Sequence, residues 1–326
     1  VKPVFTVAAD NRDITAKIAD RLVSLRVTDE AGVRSDTCVV ALDNGDGAIV
    51  PPKTGAELAV GLGYEETGIV RLGVFTVGEV ELSAPPRTLT IRAHAAKMAG
   101  ALKAERTRSF EGRTLGDIVR AIAAEHGYEP KITDDLAAVD PGHLDQIAES
   151  DMHFLTRLAK DRGAVAKFAH GFLLFAPQGE AKAVSGKALT PIRIRGGDVA
   201  GYTYTTADRA SYASVEAVWR DVSANRERIV AAGSGKPVKR LRRVYPNAET
   251  AGAAAEAKLA RLTRGKVSLN LQLPGRATAS AEAPLRLDGL HPEIDAVPWV
   301  VDRAVHDLTN RGYALTIDAT ERTKQS

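Results

Sequence analysis

A single cysteine, Cys38, excludes an intramolecular disulfide and a cysteine-rich zinc site. It lies in the apolar run DTCVVALDN, which points to a buried, unreactive thiol. Aromatic residues make up only 5% of the chain, so its cores must be built from Val, Leu, Ile and Ala. No apolar run reaches the roughly 18 residues of a membrane-spanning helix, and no membrane insertion is expected. The start, VKPVFTVAAD, lacks a signal-peptide core and cleavage pattern, so synthesis and folding in a reducing cytoplasm are expected. An excess of one charge is also missing. There are 44 basic and 41 acidic residues, a net +3, which by itself points to neither nucleic acid nor a membrane.

What remains is an ordinary globular composition, 44% hydrophobic and 26% charged, over 326 residues. At about 100–200 residues per domain, two or three domains are expected. Residues 1–95 read as short strands separated by turn signals, which argues for a barrel or sandwich. Apolar residues run from Ile14 to Val27, with a turn or bulge at Asp20-Arg21. A turn cluster occupies Asp43 to Gly47, and Pro85-Pro86 interrupts two further strands.

The pattern changes near residue 96. Thr114 and Asp117 form a capping-box pair ahead of Leu115, Ile118, Val119 and Ile122, which share one helix face, and Gly127 stops the helix. The most sharply patterned stretch follows, Glu149 to Pro177. Ser150 is the expected N-cap. Phe154, Leu155, Leu158 and Ala159 recur at helical spacing, and Arg157, Lys160 and Arg162 suit the negative end of the helix dipole. Gly163 ends the helix, and two short strands, Val165–Phe168 and Phe172–Phe175, turn at His170-Gly171. Strand signals return after Pro191, with one Ala-rich helix expected over 248–264. Trp299–Val301, Ala304–His306 and Ala314–Ile317 read as separate strands, with a turn at Asn310-Arg311-Gly312. The tail after residue 322 is expected to be disordered.

Reactive constellations are not found. The seven histidines, His94, His126, His143, His153, His170, His291 and His306, lack metal-ligand spacing and read as solvated or singly satisfied. Gly233-Ser234-Gly235-Lys236 fails the phosphate-loop pattern because Val230 and Pro237 stand where Gly and Ser or Thr are needed. Gly61-x-Gly63 lacks a third glycine and a following helix. Paired carboxylates such as Glu79 and Glu81 sit on polar strand faces, and no G-x-S-x-G elbow occurs. No catalytic, cofactor-binding or metal-binding residue is assigned, no cofactor is expected, and Asp151 and His153 carry no expected catalytic role. One basic cluster, Lys236 to Arg243 (KPVKRLRR), is read as a solvated loop or an interface with an acidic partner. It lacks the aromatic interleaving of a nucleic-acid reader, so nucleic acid is not an expected partner.

The stretch FEGRTLGDI resembles the start of a LysM peptidoglycan-binding module, where a strand and Gly-x-Thr-Leu lead into the first helix. Over nearly its whole length the chain is similar to the phage late control protein D family, the tail-hub proteins of contractile-tailed phages. The residues that carry this are FEGRTLGDIVRAIAAEHG at 110–127, ESDMHFLTRLAKDRGA at 149–164, FLLFAP at 172–177 and SYASVEAVW at 211–219. The core Ser-Asp-x-x-Phe-Leu-x-x-Leu-Ala is shared with the hub portion of type VI secretion spike proteins.

The resemblance implies a β-rich α+β fold with two tail-tube-like β-barrels, 1–95 and 183–326, and a small α/β, LysM-like module between them, 96–182. It implies a homotrimer whose barrels form a pseudo-six-fold ring, a non-catalytic adaptor between the tail tube protein and the central spike. Because the chain stops soon after its last strand, the spike is expected to be a separate polypeptide. Other baseplate components are further implied partners. The implied location is the virion tail baseplate, assembled in the host bacterial cytoplasm. The alternatives are a cell-wall-binding or cell-wall-acting protein working through the LysM-like segment, or the hub of a type VI-like secretion spike.

Overall fold

The computed structural model describes residues 1–31, 35–95, 100–169, 171–177, 189–206, 212–263 and 267–322. The first region contains β1 (Pro3–Ala9), β2 (Arg12–Asp13), α1 (Thr15–Ile18), β3 (Leu22–Glu30), β4 (Thr37–Asp43), β5 (Glu57–Tyr64), β6 (Gly68–Ser83) and β7 (Thr88–His94). Alternation turns one side of β4 inward, where Cys38, Val40 and Leu42 are buried. Cys38 is fully enclosed, and burial pushes its thiol up to about 12, so it stays protonated and inert.

The expected strand over 14–27 begins only at Leu22. Asp13 Oδ1 accepts from the Thr15 backbone N–H at 2.8 Å, and the Thr15 hydroxyl accepts from the Val7 N–H at 2.9 Å. These local bonds favour a turn over extended chain, and a helical turn with a 3-10 turn over Ala19–Arg21 buries Ile18 instead.

The middle region carries α2 (Gly100–Lys103), β8 (Glu105–Phe110), α3 (Leu115–Glu125), β9 (Glu129–Ile132), α4 (Asp134–Ala137), β10 (Leu144–Ser150), α5 (Asp151–Asp161), β11 (Ala164–Ala169) and β12 (Phe172–Pro177). β8 pairs antiparallel with β10, and β9, β12 and β11 form a second small sheet. One aliphatic and aromatic core, including Ile118, Ile122, Phe154, Leu155 and Phe175, joins them. The helix-hairpin forms as the sequence pattern requires, with Gly163 at φ +61° and Gly171 at φ +83°. His170, the tail 323–326, Arg264-Gly265 and the expected 182/183 boundary lie outside the described residues, as do residues 96–99 beside the 95/96 boundary.

The last region contains β13 (Ile192–Arg195), β14 (Gly201–Thr206), β15 (Ser214–Asp221), β16 (Arg226–Gly233), β17 (Val238–Tyr245), α6 (Ala248–Thr263), β18 (Val267–Pro274), β19 (Pro284–Asp288), α7 (Pro292–Asp295), β20 (Trp299–Thr309) and β21 (Gly312–Glu321). Segment 183–326, expected as one barrel, divides between two sheets. β15, β16 and β17 form a separate sheet whose small core of Val215, Ala217 and Ala232 packs on Ala251, Ala254 and Ala255 of α6. The remaining strands surround Leu271, Trp299, Val301, Leu315 and Ile317. The two strands expected at 299–301 and 304–306 are one strand, β20, with a register shift against β21 between Val301 and Arg303. β20 also pairs with β3, from Arg303 opposite Glu30 to Thr309 opposite Ser24. That pairing fuses the first and last regions into one 13-stranded sheet, a contact between residues nearly the whole chain apart.

Candidate functional site

The middle region is organised by the N-terminus of α5. The Ser150 hydroxyl accepts from the His153 N–H at 3.3 Å, which satisfies one of the free donors of the first turn. The next residue, Asp151, is completely buried and anchors a charge network. Arg108 Nη2 and Gln146 Nε2 donate to Asp151 Oδ1 at 2.6 and 2.8 Å, and His126 Nε2 lies 2.8 Å from Oδ2. Arg106 stands 3.5 Å away, and Glu125 closes the group by accepting from Arg108 at 2.7 Å. Burial works to raise the Asp151 carboxyl, but bonds from His126 and Gln146 and the Arg108 and Arg106 guanidiniums outweigh it. The group is held below the usual carboxylate range.

Glu125, His126 and Asp151 place ligand atoms within 4.8 Å of one another, the one such grouping among the described residues. The two guanidiniums already supply the positive charge that these carboxylates need. A divalent cation would have to displace them, so the group is a closed electrostatic joint between β8, α3, β10 and α5. The sequence reading gave Asp151 no role beyond the helix. The missed signal is the alternation Arg106-x-Arg108, which aims two guanidiniums to one side of β8, with Gln146 opposite Arg108 on β10.

The start of α3 is held by the expected capping box: Thr114 Oγ1 accepts from the Asp117 N–H, and Asp117 Oδ2 accepts from the Thr114 N–H, each at 3.2 Å. Phe110 stacks on Phe154 with ring centroids 5.4 Å apart.

Lys167 of β11 makes the junction to the first region. Its ammonium donates to Asp36 at 2.6 Å, to the Glu30 carbonyl at 2.7 Å and to Asp29 at 3.4 Å. Asp29 also accepts from the Ala281 N–H at 2.9 Å, so one carboxylate touches all three regions. Burial works against the Lys167 charge, but Asp36 and Asp29 outweigh it and raise the ammonium above its ordinary value.

The other described histidines are placed singly. His306 is buried between the Tyr313 hydroxyl at 2.7 Å and the Ala279 carbonyl at 3.1 Å, and burial lowers its pKa. His143 lies 3.0 Å from Asp145 and His153 3.0 Å from Glu149. Gly233 to Lys236 is the turn from β16 into β17, with no helix behind it to cradle a phosphate. The basic cluster is not a loop. Lys239 to Arg243 lie on β17, where Arg240 pairs with Glu216 and Arg243 with Asp161, each at 2.8 Å.

The sequence matches the family model described as phage tail baseplate hub (GPD) over residues 74–312. A relative from Escherichia phage P2, a probable baseplate hub protein, is 32% identical over 97% of this chain and 92% of its own length. Among solved structures, the 43 kDa tail protein of prophage MuSo2 from Shewanella oneidensis aligns with TM-score 0.70 at 14% identity, covering 98% of this chain and 99% of that one. A type VI secretion component from E. coli aligns with TM-score 0.58 at 13% identity, over 93% of this chain and 74% of that one. At these identities the two structures speak for the fold alone.

Proposed function

Because the chain belongs to the phage tail baseplate hub family, we propose that it is a homotrimeric adaptor seating the tail tube on one side and a separate central spike on the other. The family is structural rather than catalytic, and its place is the tail baseplate of the virion. The observation that carries the finer reading is the fused sheet. Each chain supplies two units, antiparallel except for the parallel β13–β19 pair, around separate cores and locked side by side by the β3–β20 pairing. Three chains then supply six units. A ring of six similar units can meet a six-fold tube, while its three-fold repeat meets a trimeric spike.

In this reading each unit is a tube-like barrel, and the middle region with the β15–β17 unit stands outside the ring. The order β8, α3, β9, α4, β10, with β8 and β10 paired antiparallel, supports the LysM-like reading of the middle region as topology, with β9 as an added strand that pairs outside it with β12. It does not favour glycan binding. Leu115, Pro141 and Leu144 share a narrow crevice with Tyr245 and Pro246, so the chain itself covers that side of the module.

The test is reconstitution with the tube and spike proteins of the same particle. One complex containing all three is expected. Binding to neither, by a folded chain, would overturn the adaptor reading.

A further inference from the structure

β15 divides its side chains between two environments. Val215, Ala217 and Trp219 face α6, so Glu216, Val218 and Arg220 face outward. In register with Val218 stand Ile229 on β16 and Val244 on β17. These three β-branched side chains lie side by side across the outer face of the sheet, and Ile229 and Val244 are 52% and 48% exposed. Glu216 pairs with Arg240 on one flank of this row, and Arg220 stands opposite Glu227 on the other.

The charge of the protein is concentrated here. Residues 214–245 hold eight basic and three acidic side chains, a surplus of five, whereas the whole chain carries +3 and everything outside them is therefore net −2. Basic residues on an edge strand such as β17 guard against edge-to-edge pairing, but that role leaves the apolar row unexplained. An apolar row with a charged rim is the anatomy of a protein interface.

Deepening the hub reading and resting on it, we propose that this face docks an acidic segment of a different protein of the baseplate, with apolar side chains covering Ile229, Val218 and Val244. Two copies of this chain meeting through the same face would bring like charges together. A nucleic-acid backbone would match the charge but leave the apolar row uncovered.

The test places a photo-crosslinking amino acid at position 229, with position 50 as a control. Val50 is 87% exposed and lies in the first region. Both variants are crosslinked within assembled particles. The expected result is a position-229 adduct to another protein, through a peptide rich in Asp and Glu, with none from position 50. That adduct is lost when Arg240 and Arg242 are changed to Glu. An adduct only to a second copy of this chain, only a nuclease-sensitive adduct, equal adducts from both positions, or no adduct from position 229 would each overturn the proposal. Because the adduct is read independently of oligomeric mass, a failure of the trimeric adaptor reading would be seen separately.

Discussion

Replacing Asp151 by Asn removes one charge from the joint and almost no volume. The loss is that of a buried ion pair, since the carboxylate is fully enclosed and Arg108 donates to it at 2.6 Å. Deleting one partner of such a pair costs about 3–5 kcal/mol when the other is stranded. Arg108 is not stranded: it keeps Glu125 at 2.7 Å, and its side chain is 23% exposed. Arg106, at 35%, is solvated enough to contribute little. The amide can accept from Gln146 and Arg108 through its oxygen and donate to His126 if the imidazole changes tautomer. Those compensations bring the expected cost to about 2 kcal/mol.

The assay is urea unfolding at fixed protein concentration, because the midpoint of the proposed trimer would depend on concentration. The midpoint should fall with little change in slope. A cycle with Arg108→Met should return a coupling of about 1–2 kcal/mol. The pH dependence gives an independent check. A carboxyl held below its ordinary value contributes fully above about pH 4, its unfolded value, and loses that contribution as pH falls through the lowered one. The gap between wild type and Asp151→Asn should therefore be constant near neutrality and close in acid. A loss under about 0.5 kcal/mol with no coupling to Arg108 would refute the joint.

Leu155→Asp, at a fully buried position of the middle core, should abolish folding or assembly. Soluble, assembly-competent protein would show the burial to be wrong. Gly275→Ala should lower stability by about 1–3 kcal/mol, as overpacking does. A Cβ there would lie 2.1 Å from the Tyr313 ring, whose hydroxyl is tied to His306, and an unchanged thermal midpoint would contradict that contact. Lys167→Ala leaves buried Asp36 without its cation. Faster amide exchange at the facing ends of β3 and β4, with α5 unchanged, is expected, and uniform exchange across the variant would argue against a local junction.

The helix-hairpin was legible because its determinants are local. Ser150, the apolar residues at 154, 155, 158 and 159, and Gly163 each act within a turn or two. The short helix at 15–18 is hard to see because the dense apolar run of β3 follows it directly and makes 14–27 look like one extended segment, although Ile14, Ile18 and Leu22 fall at helical spacing. Of the two readings of the basic cluster, solvated loop or interface with an acidic partner, only the loop fails: five cations in eight residues hide the buried Tyr245 and half-buried Leu241 that place it on a strand. The division of 183–326 into two sheets was hidden because strands 214–245 alternate much as the surrounding ones do. What separates them is pairing: among the described strands, β15, β16 and β17 pair only with one another. The β3–β20 seam depends on residues far apart in sequence, and no local pattern announces it. The Asp151 joint falls between these cases, since Arg106-x-Arg108 was visible but its buried counter-charge was not.

The trimer is the claim on which the adaptor reading rests, and the solution mass of the purified chain, alone and with its spike protein, tests it most directly. A species of three times 34.6 kDa, alone or on adding the spike, is the expected result. A mass of 34.6 kDa in both conditions would contradict it.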